Sequence, residues 1–150
     1  MSGATSGGAR VYEDDLFTVD HADACLVPGY LIVRLKDPAT PLGRLAPEVS
    51  RRVGEMLARA ARAIEETVAP ERVYCLAFAE IDPRLHFHLF PRTRALLEAY
   101  HDATGTAGEP VNGPKLFEWA RTAVVAGRRL PAGLPELDGV LAALRERLAG

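Results

Sequence analysis

The chain has 150 residues, 48% of them apolar and 25% charged, with a formal net charge of -2. That length suits one domain able to bury roughly 68–70% of its unfolded surface, and a near-neutral chain without a basic block argues against a nucleic-acid partner. The longest apolar run, ACLVPGYLIV, is broken by Pro28-Gly29 and is too short to span a bilayer, so no membrane partner is expected.

In chain order, MSGATSGGAR is small and polar and has no apolar stretch of the signal-peptide kind. It predicts a flexible tail over residues 1–10 and a cytoplasmic location. LFTVDH and ACLVPGYLIVRL are rich in Val, Leu, Ile and aromatics and predict two strand regions, joined by Asp20 to Asp23 and bent at Pro28-Gly29. Cys25 and Cys75 lie in apolar runs, form no C-x-x-C pair, and are expected as buried free thiols. KDPATPLGR is a loop by its prolines and glycine.

LAPEVSRRVGEMLARAARAIEETVAP then repeats Val49, Val53, Met56, Leu57, Ala60, Ile64 and Val68 at three- and four-residue steps, with Arg and Glu on the other face. This predicts a long amphipathic helix that starts near Pro47 and stops at Pro70. RVYCLAFAE predicts a strand over 72–80. IDP turns the chain, and RLHFHLF predicts a second, antiparallel strand ended by Pro91. HDATGTAGEPVNGP reads as a loop long enough for a lid or hinge. KLFEWARTAVVAG and LPELDGVLAALRERLA show helical spacing. The fold class is therefore α+β: an antiparallel sheet of about five strands, one long helix on one face, and C-terminal helices. Residues 11–100 form the main domain, with 101–150 as a loop and helical extension packed on it.

The stretch RLHFHLFPR carries the chemistry. Strand alternation points Leu85, Phe87 and Leu89 toward the helix and turns Arg84, His86, His88 and Phe90 the other way, with same-face neighbours about 6.6 Å apart. Three readings stand on the residues alone: a structural pair of histidines, a metal site completed by Glu80, Asp82 or His101, and nucleophilic attack on phosphorus. Arg84 would repel a metal cation, so no metal is assigned. Two imidazoles beside a fixed cation suit phosphate.

RLHFHLFPR also resembles the histidine triad (HIT) signature, His-φ-His-φ-His-φ-φ, often followed by Pro-Arg. The similarity extends from about Val11 to Arg94, with a Pro-Gly strand, a loop, a helix and two strands in the same order. Anchored on Pro91-Arg92, the three histidine positions fall on Arg84, His86 and His88, so arginine replaces the first. The strand CLAFAE has Glu80 where a phosphate-contacting Gln or Asn is common and lacks the usual Asn and Gly. RLKDPAT lacks a basic-His pair and leaves Arg34 and Lys36.

The resemblance implies that His86 is the nucleophile and forms a nucleotidyl-histidine, His88 bonds a phosphate oxygen, and Arg84 stabilises charge. Asp20, Tyr30, Glu80 and Arg92 are the nucleotide-binding candidates, and Lys115 is a further cation. The implied substrates are dinucleoside polyphosphates or nucleoside phosphoramidates. No cofactor is required, though Mg²⁺ can accompany the substrate, and the expected state is a homodimer. The competing expectation is a noncatalytic nucleotide-binding or protein-interaction module on a degenerate HIT scaffold.

Overall fold

A computed structural model describes residues 8–37 and 40–150; most of the expected N-terminal tail, residues 1–7, lies outside the described residues. Its five strands are β1 (Arg10–Glu13), β2 (Phe17–His21), β3 (Leu31–Leu35), β4 (Arg72–Leu76) and β5 (His86–Arg92). They form one sheet in the order β1-β2-β3-β5-β4, every pair antiparallel. The helices are α1 (Pro47–Val68), α2 (Arg94–Thr104), α3 (Gly113–Ala123) and α4 (Leu137–Ala149), with a 3₁₀ turn at Leu42–Arg44.

The α+β class and the long helix are as expected. Pro47 occupies the first turn of α1, where its missing N–H costs nothing. Ala69 ends the helix with φ 48°, because the residue before Pro70 cannot stay helical. Val53, Met56, Ala60, Ala63 and Ile64 of α1 are buried against Phe17, Val19, Leu31, Val33, Phe87 and Leu89 of the sheet. The buried Val140, Leu141, Leu144 and Leu148 of α4 join the same cluster. A second cluster covers part of the opposite sheet face, where Tyr30 and Phe90 meet Leu96 and Tyr100 of α2 and Leu116, Phe117 and Ala120 of α3. Helices therefore pack on both faces, α1 and α4 on one and α2 and α3 on the other.

Several boundaries differ from expectation. Gly8 and Ala9 already bond to His21 through the backbone and β1 begins at Arg10, so an all-flexible tail over 1–10 is wrong at its last three residues. β2 continues through Asp20 to His21, and residues 22–30 form the connection. Pro28-Gly29 makes a turn in which Gly29 has φ 97°, and a Cβ there would crowd Pro91 and Val68 at 3.3 Å. The long apolar run therefore becomes a strand only from Leu31. β4 stops at Leu76, leaving residues 77–85 as a connection rather than a tight turn.

Pro91 does not end β5. The pairing of β3 with β5 stops at Leu89, so no donor is needed from residue 91 on that side. α2 runs across residue 100, the expected domain boundary, and takes up the start of the expected loop. Cys25 is buried, but Cys75 is exposed on the outer strand β4. No helix among the described residues is long and apolar enough to cross a membrane.

Candidate active site

The histidine face of the sheet is built by register. His86 pairs with Arg34 on β3, which pairs with Thr18 on β2; His88 pairs with Ile32, which pairs with Asp20. Residues alternate faces along each strand, so both rows share the side away from α1. The His86 and His88 rings lie side by side, with centroids 5.3 Å apart. Two residues further on, Phe90 is covered by Phe117 of α3 at 5.1 Å. The sheet is thus roofed at Phe90 and open at the histidines.

A cavity of about 240 Å³ occupies the open part. It is lined by His86, His88, Tyr30 and Ile32, by residues 22–25 of the β2–β3 connection, by residues 78–82 of the β4–β5 connection, and by Arg121 of α3. None of residues 101–114 lines it, so the loop expected as a lid is elsewhere.

Hydrogen bonds fix the state of each imidazole. His86 Nδ1 lies 2.8 Å from the Arg84 carbonyl oxygen. A carbonyl only accepts, so Nδ1 carries the proton, and in the neutral ring the lone pair is at Nε2. His88 Nδ1 lies 2.7 Å from the Tyr30 hydroxyl. Burial pushes the Tyr30 phenol well up, so it stays protonated and can donate. Burial, then the cationic form of His86 and the charges of Arg121 and Arg34, lower His88 to about 4. Neutral His88 therefore accepts at Nδ1 and offers Nε2–H. The pair presents one lone pair and one donor to the same cavity, which is what attack on phosphorus beside a nonbridging oxygen needs.

The other expected residues divide. Tyr30 and Glu80 line the cavity, and Glu80 is exposed. Arg84 does not line it. Its Nε and Nη2 donate to Asp82 at 3.1 and 2.9 Å, and its backbone N–H donates to the same carboxylate at 3.1 Å. Asp20 is buried between Arg10 and Arg34 and does not line the cavity either; Asp23 does. Arg92 is on the same face but six residues along β5 from His86, beside Glu71 at 4.0 Å and away from the cavity. Lys115 is exposed in the first turn of α3, outside the lining.

Arg121, Phe78 and Ile81 were missed in the sequence, and Arg34 and Asp82 take a role not expected of them. Arg34 bonds Asp82 at 3.0 Å. Asp82 gathers both arginines although burial alone would raise its pKa; the Arg84 hydrogen bonds and charge, with Arg34, hold it at about 2. Arg121 arrives from the C-terminal helices. Phe78 and Ile81 stand exposed at the rim. The alternation of LIVRL already put Arg34 on the polar face of its strand, but only register puts it opposite His86. His21, the remaining strand histidine, is structural: Nδ1 donates to Ala22 O and Nε2 accepts from Gly29 N–H, both at 2.9 Å.

Among the described residues no group of three or more His, Cys, Asp or Glu could hold a metal ion. No family model and no curated protein matches the sequence. Solved structures do. A histidine triad protein from Bradyrhizobium japonicum is 18% identical with a TM-score of 0.64, over 99% of this chain and 96% of that one. A hypothetical histidine triad nucleotide-binding protein from Sulfolobus tokodaii is 13% identical with a TM-score of 0.60, over 97% and 87%. A Zn-bound histidine triad family protein from Mycobacterium smegmatis is 21% identical with a TM-score of 0.57, over 97% and 87%. Nearly the whole chain, C-terminal helices included, therefore has a HIT-like fold.

Proposed function

We propose that the protein is a nucleotide hydrolase or nucleotidyl transferase that attacks the α-phosphate of a nucleoside phosphoramidate or dinucleoside polyphosphate with His86. The observation that carries this is the His86 imidazole held by the Arg84 carbonyl, its Nε2 lone pair left in a cavity beside neutral His88. Nε2 forms the bond to phosphorus as the leaving-group bond breaks, and the leaving group keeps the electron pair and takes a proton from solvent. Water or another acceptor then bonds phosphorus as the Nε2–P bond breaks. His88 Nε2–H donates to a nonbridging oxygen, and Arg121 adds positive charge at the rim.

Arg84 acts at one remove, through its carbonyl, and not as a direct phosphate ligand. The chemistry requires no resident cofactor, and Mg²⁺ enters with the substrate. One edge of β4 is the sheet's outer edge, which supports a homodimer paired there. The nucleotide-binding description of the Sulfolobus protein supports the substrate class, and the activity belongs in the cytoplasm.

The test is mononucleotide release from both substrate classes, with a base-quenched intact-mass measurement for a nucleotidyl adduct. His86→Ala abolishes release and adduct; His88→Ala slows release about 100-fold or more. Turnover that survives His86→Ala refutes the assignment. Nucleotide binding without turnover on either class identifies a noncatalytic module instead.

A further inference from the structure

Arg92, the last residue of β5, is only 8% exposed. Two residues after Phe90, it faces the α2–α3 side of the sheet. Among the described residues its guanidinium makes no hydrogen bond. Nε is buried without a partner, and the one ion-pair contact, from Nη2 to Glu71, is 4.0 Å, beyond hydrogen-bond range. Glu71 is already held by Arg94 at 2.7 Å. A guanidinium carries five donors and cannot shed its charge, so burying one unpaired is costly.

The neighbours add positive charge instead of removing it. Arg72 lies directly opposite Arg92 across β4 and β5, on the same face and exposed. Like charges so placed repel. Arg72 Nη1 donates to the Glu71 main-chain oxygen at 2.7 Å, which leaves its charge without a carboxylate among the described residues. Arg72, Arg92 and Arg94 therefore have Glu71 alone between them. One pair further along, Tyr74 lies opposite Phe90 and stacks on it, and its hydroxyl bonds nothing among the described residues. Burial raises the Tyr74 phenol, and the charges of Arg92 and Arg72 pull against it, so both cations lie near this ring. α3 starts against the same ring: a Cβ on Gly113 would stand 3.2 Å from Tyr74 Cζ.

We propose that Arg72, Arg92 and the Tyr74 hydroxyl form a second anion site, for a phosphate group, at the end of the sheet away from the histidine cavity. Six residues of extended chain, about 20 Å, separate Arg92 from His86, and Phe90 with its cover Phe117 stands between. A phosphate dianion suits the arrangement. Its several terminal oxygens accept from two guanidiniums and a hydroxyl at once, and its two charges match the excess that Glu71 leaves. A carboxylate brings two oxygens and a single charge. The ligand is inorganic phosphate or the phosphate of a small ester, held without covalent change. The site does not depend on His86 being a nucleophile.

The experiment titrates the full chain with inorganic phosphate and, separately, with glycerol 1-phosphate, near neutral pH and with sodium chloride holding the ionic strength constant. The signals followed are the Arg92 Nε–H and the Gly113 amide in ¹H–¹⁵N spectra. In the wild type both shift and saturate, with a dissociation constant of about 1 mM or below. Arg72→Gln weakens binding about tenfold, and Tyr74→Phe weakens it several-fold. Arg72 is exposed, so that variant folds. Saturation by both probes identifies the phosphate group itself as the ligand, and saturation by the ester alone identifies a phosphate monoester; either supports the site. Shifts that chloride reproduces, or that Arg72→Gln leaves unchanged, overturn it. An Arg92 shift that follows protein concentration with no phosphate present also overturns it, because a second copy then supplies the anion. Binding at the histidine cavity is read from the His88 ring in the same spectra, and loss of that signal or of His86-dependent turnover leaves this site standing.

Discussion

Replacing Asp82 by asparagine should separate the fold of this protein from the setting of His86, the proposed nucleophile. The carboxylate is 2% exposed and accepts four hydrogen bonds: three from Arg84, at 2.9, 3.1 and 3.1 Å, and one from Arg34 at 3.0 Å. Burial works against its charge, but the Arg84 and Arg34 interactions bring the carboxyl from 3.8 to about 2. That depression corresponds to about 2 kcal/mol of native-state stabilisation. Asparagine also leaves the buried Arg34 facing one carboxylate fewer, so the expected loss is about 3 kcal/mol in denaturant unfolding, with the m-value unchanged.

A domain of this size survives that loss. The acid limb gives the sign. A depressed folded pKa contributes fully above about pH 4 and is lost as pH falls through about 2, so the wild type should lose this contribution over that window and Asp82→Asn should not. The segment that loses its anchor carries the Arg84 carbonyl, and with it the His86 proton position. Long-range ¹H–¹⁵N spectra should show wild-type His86 as the Nδ1–H form and the variant as a mixture, with kcat reduced about tenfold or more and Asp82→Glu partly restoring both. A variant that loses less than about 1 kcal/mol, or that keeps the pure Nδ1–H form, refutes the reasoning.

Three further outcomes follow from the same geometry. His88 should titrate near 4 by NMR. Because the unfolded imidazole takes a proton near 6.5 and the folded one does not, stability should be full above that value and fall by up to about 3 kcal/mol as pH drops toward 4, a loss absent in His88→Gln. Arg121→Ala should raise the His88 midpoint, since the Arg121 charge is one cause of its depression. Tyr30→Phe removes the 2.7 Å donor to His88 Nδ1 and should cost about 1–2 kcal/mol in unfolding experiments, with His88 losing its single tautomer in the same spectra.

The sequence carried the strand that matters because its period is short and unambiguous. Leu85, Phe87 and Leu89 alternate with His86 and His88, and one side had to be buried. The same logic made α1 and α4 legible, since each has an apolar stripe matched to one sheet face. α2 was overlooked although Thr93 is an N-cap bonded to Leu96 N–H and Leu96 and Tyr100 lie four apart; the Gly/Pro-rich stretch after it drew the boundary too early.

The cavity itself was less legible. Arg34, Arg121 and Asp82 come from β3, α3 and the β4–β5 connection, and their meeting depends on register and on α3 folding back over Phe90. Local pattern contains neither. Cys75 misled for the opposite reason: an apolar run says nothing about whether its strand lies at the edge of the sheet.

Arginine in place of the first expected histidine looks, in sequence, like a cation added to a phosphate site. The geometry argues otherwise. A guanidinium cannot give up its proton at neutral pH, and here it is turned onto Asp82, so position 84 contributes to the site through its carbonyl. The carbonyl is main chain and would be present with any residue; what Arg84 adds is the side-chain half of a clamp whose other half is Arg34, across the sheet from His86 itself. An orienting bond to His86, the proposed nucleophile, is thereby tied to a buried ion network that spans β2, β3 and the β4–β5 connection. It follows that Arg84→His, which restores three histidines in the motif, should impair the site rather than improve it: imidazole cannot make the two parallel bonds to Asp82, and the carbonyl that positions His86 loses its anchor.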